Sequence, residues 1–182
     1  MYPEYMTIQG KDYKINTDYR VALACFRAIN DTEIDDISRM LAVVSLLLGK
    51  DFPIDLVDEA IDKCAIYLRC GKTKNSENID MDYEQDKSRI MASFMSCYHL
   101  DINKENIHWW AYNDLIEGFT EEEILSRVRN LRNYNLNDIK DLNERQKVAK
   151  AQEEVKLITP KTKEEKEIDK FWDEIYGGDN EW

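Results

Sequence analysis

The sequence lacks the features that mark membrane, secreted and nucleic-acid-binding proteins. No apolar run approaches the roughly 20 residues that span a bilayer, and the stretch Met1–Tyr5 has neither the basic nor the apolar region of a signal peptide. The formal net charge is −12, and binding to phosphate backbones or anionic membranes depends on Lys and Arg. We therefore expect a protein that stays in the cytosol, with no nucleic acid or membrane partner.

Motifs of catalysis and of metal binding are also missing. The chain has no Gly-rich phosphate loop, no Gly-x-Ser-x-Gly and no His-Glu-x-x-His. His99 and His108 are the only histidines, and their spacing, with Asp101 and Glu105 between them, matches no metal motif. The sequence therefore predicts neither an enzyme nor a bound cofactor.

The cysteines show no Cys-x-x-Cys or Cys-His spacing of the kind that zinc and redox sites use. They are Cys25, Cys64, Cys70 and Cys97. We expect them to be small buried hydrophobic residues in a reducing compartment.

The chain does contain repeated helical periodicity. Its 182 residues are 43% hydrophobic, enough for a real core. The sequence predicts a mainly α fold: a compact helical domain (residues 1–158) of about six helices, with a short N-terminal β-hairpin around Gly10 and a C-terminal helical tail (residues 159–182). The polar loop 72–80 is expected to divide the domain into two halves. The hairpin is expected to be a lid on the helices, with an edge open to a partner strand as the alternative.

Capping residues and apolar spacing predict where individual helices begin and which faces they bury. Thr17 is expected to cap the first helix, and Asp31 or Thr32 to begin the second. The second helix is expected to be buried through one stripe: Ile37, Met40, Leu41, Val44, Leu47 and Leu48. Further on, Thr120–Glu123 has the pattern of a capping box. The arginines of the helix that follows, Arg127, Arg129 and Arg132, are expected to be largely solvated.

The stretch Tyr83–Phe119 has the most aromatic surface and is expected to organise the core. It predicts two helices packed as an antiparallel hairpin, the second capped by Asn106 and ended by Gly118 in a positive-φ conformation. Trp109 and Trp110 lie about 100° apart on a helix, so one is expected in the core and the other at a partner surface. Asp86 is expected to be a buried hydrogen-bond acceptor, either for an indole N–H or for a helix N-terminus.

This stretch also carries a resemblance to a known family. The matching residues are Asp86, Ile90, Ala92, Ser93, Phe94, Tyr98, Leu100, Asp101, His108, Trp109, Trp110, Leu115, Gly118 and Phe119. They resemble the signature of a bacteriophage family named after gene product fifteen of Listeria-type siphophages, over about Tyr5 to Leu157. The family is encoded in tail-gene clusters beside the tape-measure protein and is regarded as tail-assembly-chaperone-like.

The resemblance implies a chaperone that binds the tape-measure protein, keeps it soluble, helps present it to tail-tube subunits and leaves before the virion matures. The alternative is a structural tail component, or a small cytosolic adaptor that binds through the same face. For the tail, a capping box at Thr162–Glu165 predicts a helix with a compact apolar ridge. The ridge residues are Ile168, Phe171, Trp172, Ile175 and Tyr176. Two roles stay open: docking on its own domain, or acting as a helix-in-groove ligand for a second copy or a tail protein.

Overall fold

A computed structural model describes residues 1–72 and 80–158, so the tail and most of the loop 72–80 lie outside the described residues. The mainly α fold with an N-terminal hairpin is confirmed. The described residues contain seven α-helices rather than about six. The elements are β1 (Tyr5–Ile8), β2 (Lys11–Lys14), α1 (Tyr19–Asn30), α2 (Asp36–Leu48), α3 (Val57–Leu68), α4 (Lys87–Tyr98), α5 (Trp109–Glu117), α6 (Ile124–Asn133) and α7 (Leu142–Val155).

The hairpin is tight and lies on the helices. Gln9 and Gly10 form its two-residue turn with φ of 46° and 75°, the left-handed values that suit the twist of paired strands. Met6 and Ile8 point inward and are buried. The backbone then continues to the helical layer, where the N–H of Asn16 donates to the carbonyl of Leu47 at 2.8 Å. The hairpin therefore covers the helices, as a lid does.

Helices α1, α2 and α3 pack in chain order, and α1 and α2 begin later than the sequence predicted. Asp18, not Thr17, caps α1 by accepting from the N–H of Arg20 at 2.8 Å. The prediction for α2 was wrong by several residues, because Asp35 accepts from the N–H of Ser38 and the helix begins at Asp36. Both positions had a nearby Thr or Asp that could also cap a helix, and spacing alone did not separate these candidates.

Helix α2 is less buried than its stripe predicted. Val44 and Leu47 are buried, together with Val43. Ile37 and Met40, by contrast, are 70% and 46% exposed. The inward face is set by contact with α1 and α3, and it covers only the C-terminal half of the apolar stripe. The N-terminal half of α2 therefore presents apolar side chains at the surface.

Helices α4 and α5 are not the antiparallel hairpin that the sequence predicted. Their contacts follow the same order along both helices: the Phe94 ring stacks on Tyr112 at 5.2 Å, and the hydroxyl of Tyr98 donates to the carbonyl of Leu115 at 2.8 Å. An antiparallel pair would match residues in the opposite order. The connection 99–108 is anchored by buried Ile102 and Ile107, and it is long enough to carry the chain back before α5 begins.

Helix α6 covers α4, and α7 packs on α6. The side chain of buried Ser93 on α4 accepts from the N–H of Leu125 on α6 at 3.2 Å. No side-chain bond caps α6 at Glu123, so the capping box predicted at Thr120–Glu123 does not form. Helix α7 begins at Leu142 after a short 3-10 turn and packs on α6. None of its residues is fully buried, which fits its thin apolar stripe.

An aromatic cluster centred on Tyr112 joins these layers. The Tyr112 ring stacks on Tyr19 of α1 at 4.5 Å, on Phe94 of α4 and on Trp109 at 5.9 Å. Stacked and edge-on pairs of this kind add stability beyond the burial of their area. The core is therefore built around α5, with α1 and α4 on either side. No helix in the described chain is both long and apolar enough to cross a membrane.

Gly118 ends α5 for a reason other than the predicted positive φ. Its φ is −83°, which any residue adopts. A Cβ at this position would instead lie 2.7 Å from the hydroxyl oxygen of Tyr98, the same hydroxyl that bonds to Leu115. Glycine is therefore required by the close approach of Tyr98.

This packing gives a first prediction. Gly118→Ala is expected to lower the free energy of unfolding by about 1–3 kcal/mol, because the added methyl overpacks the contact. In a Tyr98→Phe background the hydroxyl is gone, so the same substitution should cost clearly less. Equilibrium urea unfolding of the four proteins of this cycle measures the difference; equal costs in both backgrounds would contradict the steric explanation.

Candidate functional site

The sequence His108-Trp109-Trp110 closes the end of α3. The indole N–H of Trp109 donates to the carbonyl of Leu68, and that of Trp110 donates to the carbonyl of Tyr67, each at 3.0 Å. The last carbonyls of a helix lack partners within it, so the two indoles satisfy groups that would otherwise be poorly bonded. The expectation that an indole N–H bonds to Asp86 is wrong.

His108 performs the capping role that the sequence assigned to Asn106. Its Nδ1 accepts from the N–H of Trp110 at 3.0 Å, at the first turn of α5. Because Nδ1 is the acceptor, Nε2 carries the proton and donates to the carbonyl of Pro3 at 3.0 Å. Tyr2 stacks on the same ring at 5.1 Å. His108 therefore fastens the N-terminal strand to the start of α5.

The two tryptophans occupy different environments. Trp109 is 1% exposed and contacts Tyr83 and Phe26 in the core. Trp110 is partly buried, and its ring lies 3.2 Å from the position that a Cβ of Gly71 would occupy. Trp110 therefore packs against the turn that follows α3, at the boundary between the core and the surface.

Asp86 is a fully buried carboxylate that receives four hydrogen bonds. Arg132 donates two of them from α6, at 2.7 and 2.9 Å, and Arg89 donates one at 2.7 Å. The N–H of Asp82 donates the fourth at 3.1 Å. Burial alone would raise the pKa of Asp86, but the bonds from Arg132, Asp82 and Arg89 outweigh it and hold that pKa below its usual value. The carboxylate is therefore charged at neutral pH.

Arg132 connects four parts of the chain through this carboxylate. Besides Asp86, its guanidinium donates to the carbonyl of Asp80 at 2.8 Å and to that of Val155, at the end of α7, at 2.6 Å. Its side chain is 9% exposed, so the prediction that it is largely solvated is wrong. Three arginines lie on α6, and the sequence carried no signal to distinguish the one that turns inward.

The family-motif residues thus serve mainly to hold the fold together. Ile90 and Phe94 are buried, and Tyr98 and Gly118 meet at the end of α5. Asp86 lies at the start of α4 and is bonded to Arg132 of α6 rather than to the tryptophans. The structure therefore places these residues in one connected core and not around a shared pocket.

A surface groove was not predicted from the sequence. It lies where the end of α1 meets α2 and α3, and it has a volume of about 240 Å³. Its lining residues are Ile29, Asp36, Arg39, Met40, Val43, Ile61, Ala65 and Leu68. This α1–α3 groove is smaller than the roughly 300–1,000 Å³ of typical small-molecule sites. Its size suits one or two apolar side chains of a protein partner.

Apolar side chains in the groove remain open to solvent. Ile29 on α1 and Met40 on α2 line it at 40% and 46% exposure. The nearby charges are Asp36 and Arg39, which pair with each other. An amphipathic helix binds such a surface by placing its apolar side chains at a spacing of three and four residues.

Metal and thiol chemistry find no support in the described chain. Within residues 1–72 and 80–158, no three His, Cys, Asp or Glu side chains are placed to hold a metal ion. The four cysteines are free thiols, and Cys25 and Cys64 are buried as expected. Burial raises the pKa of both to about 12, so neither is a thiolate at neutral pH. Cys70 and Cys97 are only partly buried, contrary to expectation.

Comparison with known protein families shows to which family the chain belongs. The profile of the family described as Bacteriophage Gp15 protein matches residues 2–157. The chain belongs to this family. No curated protein and no solved structure matches the sequence in the same comparisons. This Gp15-family protein is therefore a bacteriophage structural or assembly protein, and the match covers almost all of the helical domain but none of the residues from 159 onward.

The tryptophan pair gives a second prediction. Trp109→Ala is expected to cost about 3–5 kcal/mol of unfolding free energy, because it empties a core position. Trp110→Ala should cost less, about 1–3 kcal/mol, since it removes one hydrogen bond and part of a contact. Thermal and urea unfolding of both variants test this order, and a larger loss for Trp110→Ala would contradict the structure.

A third prediction concerns the buried ion pair. Asp86→Asn or Arg132→Met alone is expected to cost about 3–5 kcal/mol, because each leaves the other group buried without its partner. The double variant with Asp86→Asn and Arg132→Met should lose less unfolding free energy than the sum of the losses of the two single variants. Arg129→Met on the same helix is the matched control: its side chain is 33% exposed in its pair with Asp80, so it should cost about 0–1 kcal/mol.

The same pair predicts how stability depends on pH. Because the folded pKa of Asp86 is lowered, its contribution is complete above the unfolded pKa of about 3.9 and is lost as the pH falls through the folded value. Wild-type unfolding free energy should therefore fall more steeply below about pH 4 than that of Asp86→Asn. Parallel slopes for the two proteins would contradict this account.

Proposed function

We propose that this protein is a phage tail assembly chaperone that binds the tape-measure protein and keeps it soluble for assembly of the tail tube. The observation that carries this proposal is the α1–α3 groove, whose lining residues Ile29 and Met40 stay 40% and 46% exposed. Tape-measure proteins are long helical proteins with apolar stripes, as the family resemblance implies. Such a stripe fits a groove whose floor is apolar and whose size admits single side chains.

The charge of the chain supports the same proposal. A net charge of −12 keeps a complex with an apolar client in solution through repulsion between complexes. It also disfavours binding to DNA in the infected cell. A chaperone of this kind acts in the host bacterial cytoplasm, is absent from the mature virion and releases its client to the tail-tube protein.

Co-expression with the tape-measure protein of the same phage tests the proposal. The soluble fraction of the tape-measure protein should rise several-fold when the wild-type chain is present. Met40→Asp should reduce this gain, because it places a charge in the groove. Leu142→Asp is the matched control, since Leu142 is an apolar residue of α7 with 67% exposure and should leave the gain unchanged.

Two results would count against the chaperone. An unchanged soluble fraction with the wild-type chain would contradict client binding, provided that both proteins are expressed. Mass spectrometry of purified particles separates the alternative of a structural tail component, because a chaperone should be far below one copy for each tail subunit. Melting curves of Met40→Asp and Leu142→Asp show whether either variant acts only by unfolding the protein.

A further inference from the structure

We propose that the tail segment Ile168–Tyr176 of this chain docks in the chain's own α1–α3 groove and covers it until a client arrives. The segment lies outside the described residues, so its case is built from its sequence, from the groove and from the place where the described chain ends. The claim that the tail covers the groove until a client arrives, which is the regulatory part, rests on the proposed chaperone function. The claim that the tail docks in the groove does not.

The groove is an unfilled apolar surface in the described chain. Ile29 and Met40 line it and remain 40% and 46% exposed. Burying such side chains is favourable by about 25 cal/mol for each Å² removed from water. The tail segment supplies the matching chemistry: Phe171, Trp172 and Ile175 are spaced for one face of a helix. A helix of this length is marginal in isolation and needs a surface to pack against.

The described chain ends near α1, one of the helices that line the groove. The N–H of Ile158 donates to Gln85 Oε1 at 2.8 Å, and Gln85 Nε2 donates back to the carbonyl of Ile158 at 2.9 Å. The neighbouring Glu84 pairs with Arg27 of α1 at 2.6 Å. Ile29 of the groove lies two residues further along, about 200° around the same helix. The tail would therefore pass around the C-terminal end of α1 to enter the groove.

The linker sets how far the tail can reach from Ile158. Four residue steps to Thr162 extend about 14 Å at the usual maximum of 3.3–3.6 Å each, and six helical steps to Ile168 add about 9 Å at 1.5 Å each. A tethered segment also meets its own groove at an effective concentration in the millimolar range when the linker is short and flexible. Docking on a second copy has no such advantage at low protein concentration.

A polar contact is also available at the groove. Arg39 lines it, and its Nε atom is buried without a hydrogen-bond partner in the described chain. Buried donors of this kind are uncommon and costly. The tail ridge is flanked by acidic residues, including Asp169 and Asp173. A carboxylate brought in with the ridge would supply an acceptor for this donor.

Site-specific photo-crosslinking in the full chain tests the docking. A benzophenone amino acid replaces Met40, and mass spectrometry identifies the joined peptides after irradiation at low protein concentration. We expect a crosslink within one chain to the peptide that contains Phe171–Tyr176. The same probe at Leu142, outside the groove, is the control and should give at least about fivefold less of this product.

Three outcomes would overturn the proposal. The first is no crosslink from position 40 to the tail, and the second is a product of two joined chains, which would assign the groove to a second copy. The third is an unchanged yield when Phe171→Ser and Trp172→Ser are combined, because removing two anchors should lower the yield at least about fivefold. Circular dichroism confirms that this double variant keeps its helical content.

Adding a tape-measure fragment separates this inference from the proposed function. If the fragment binds and lowers the crosslink yield, tail and client share the groove, as the regulatory part requires. If it binds and leaves the yield unchanged, docking stands and the regulatory part is overturned. If it does not bind while the crosslink persists, the chaperone proposal fails and tail docking stands.

Discussion

The ion pair between Asp86 and Arg132 is the constraint on which the second half of the fold depends. A carboxylate removed from water costs several kcal/mol unless all of its lone pairs find donors. Arg132 meets this need only if α6 lies across the start of α4, and its remaining N–H groups then bond to Asp80 and to Val155 at the end of α7. This buried charge thus helps to position α7, together with Gln152, whose Nε2 donates to the carbonyls of Leu131 and Tyr134.

The predictions from the sequence can be compared with the helices that the structure contains. Apolar periodicity predicted a mainly helical domain of about six helices, and the described residues contain seven, because burial of one face is a local pattern. It failed at helix starts such as that of α2, where several residues able to cap a helix lie close together. It also failed for the α4–α5 arrangement, since a connection with two buried isoleucines can return the chain in either direction.

The sequence could identify the residues of the candidate site but not the groups to which they hydrogen-bond. Asp86, Trp109 and Trp110 stood out as polar or aromatic groups in an apolar setting, and all three are hydrogen-bonded in the core or at its boundary. Their partners on other helices, such as Leu68 and Arg132, lie 41 to 46 residues away, and backbone carbonyls such as that of Leu68 have no sequence signature. Only packing could identify Arg132 among the arginines of α6.

The groove is lined in part by the apolar stripe of α2 that was wrongly predicted to be buried along its whole length; Met40 belongs to both. An apolar stripe shows that a helix face avoids water, but it does not show which molecule or segment covers that face. In the described chain α1 and α3 cover Val44 and Leu47 and leave Ile37 and Met40 exposed. A stripe longer than its neighbours can cover leaves an apolar surface on which a further helix can pack, and a client helix and the chain's own tail are the two occupants proposed for it.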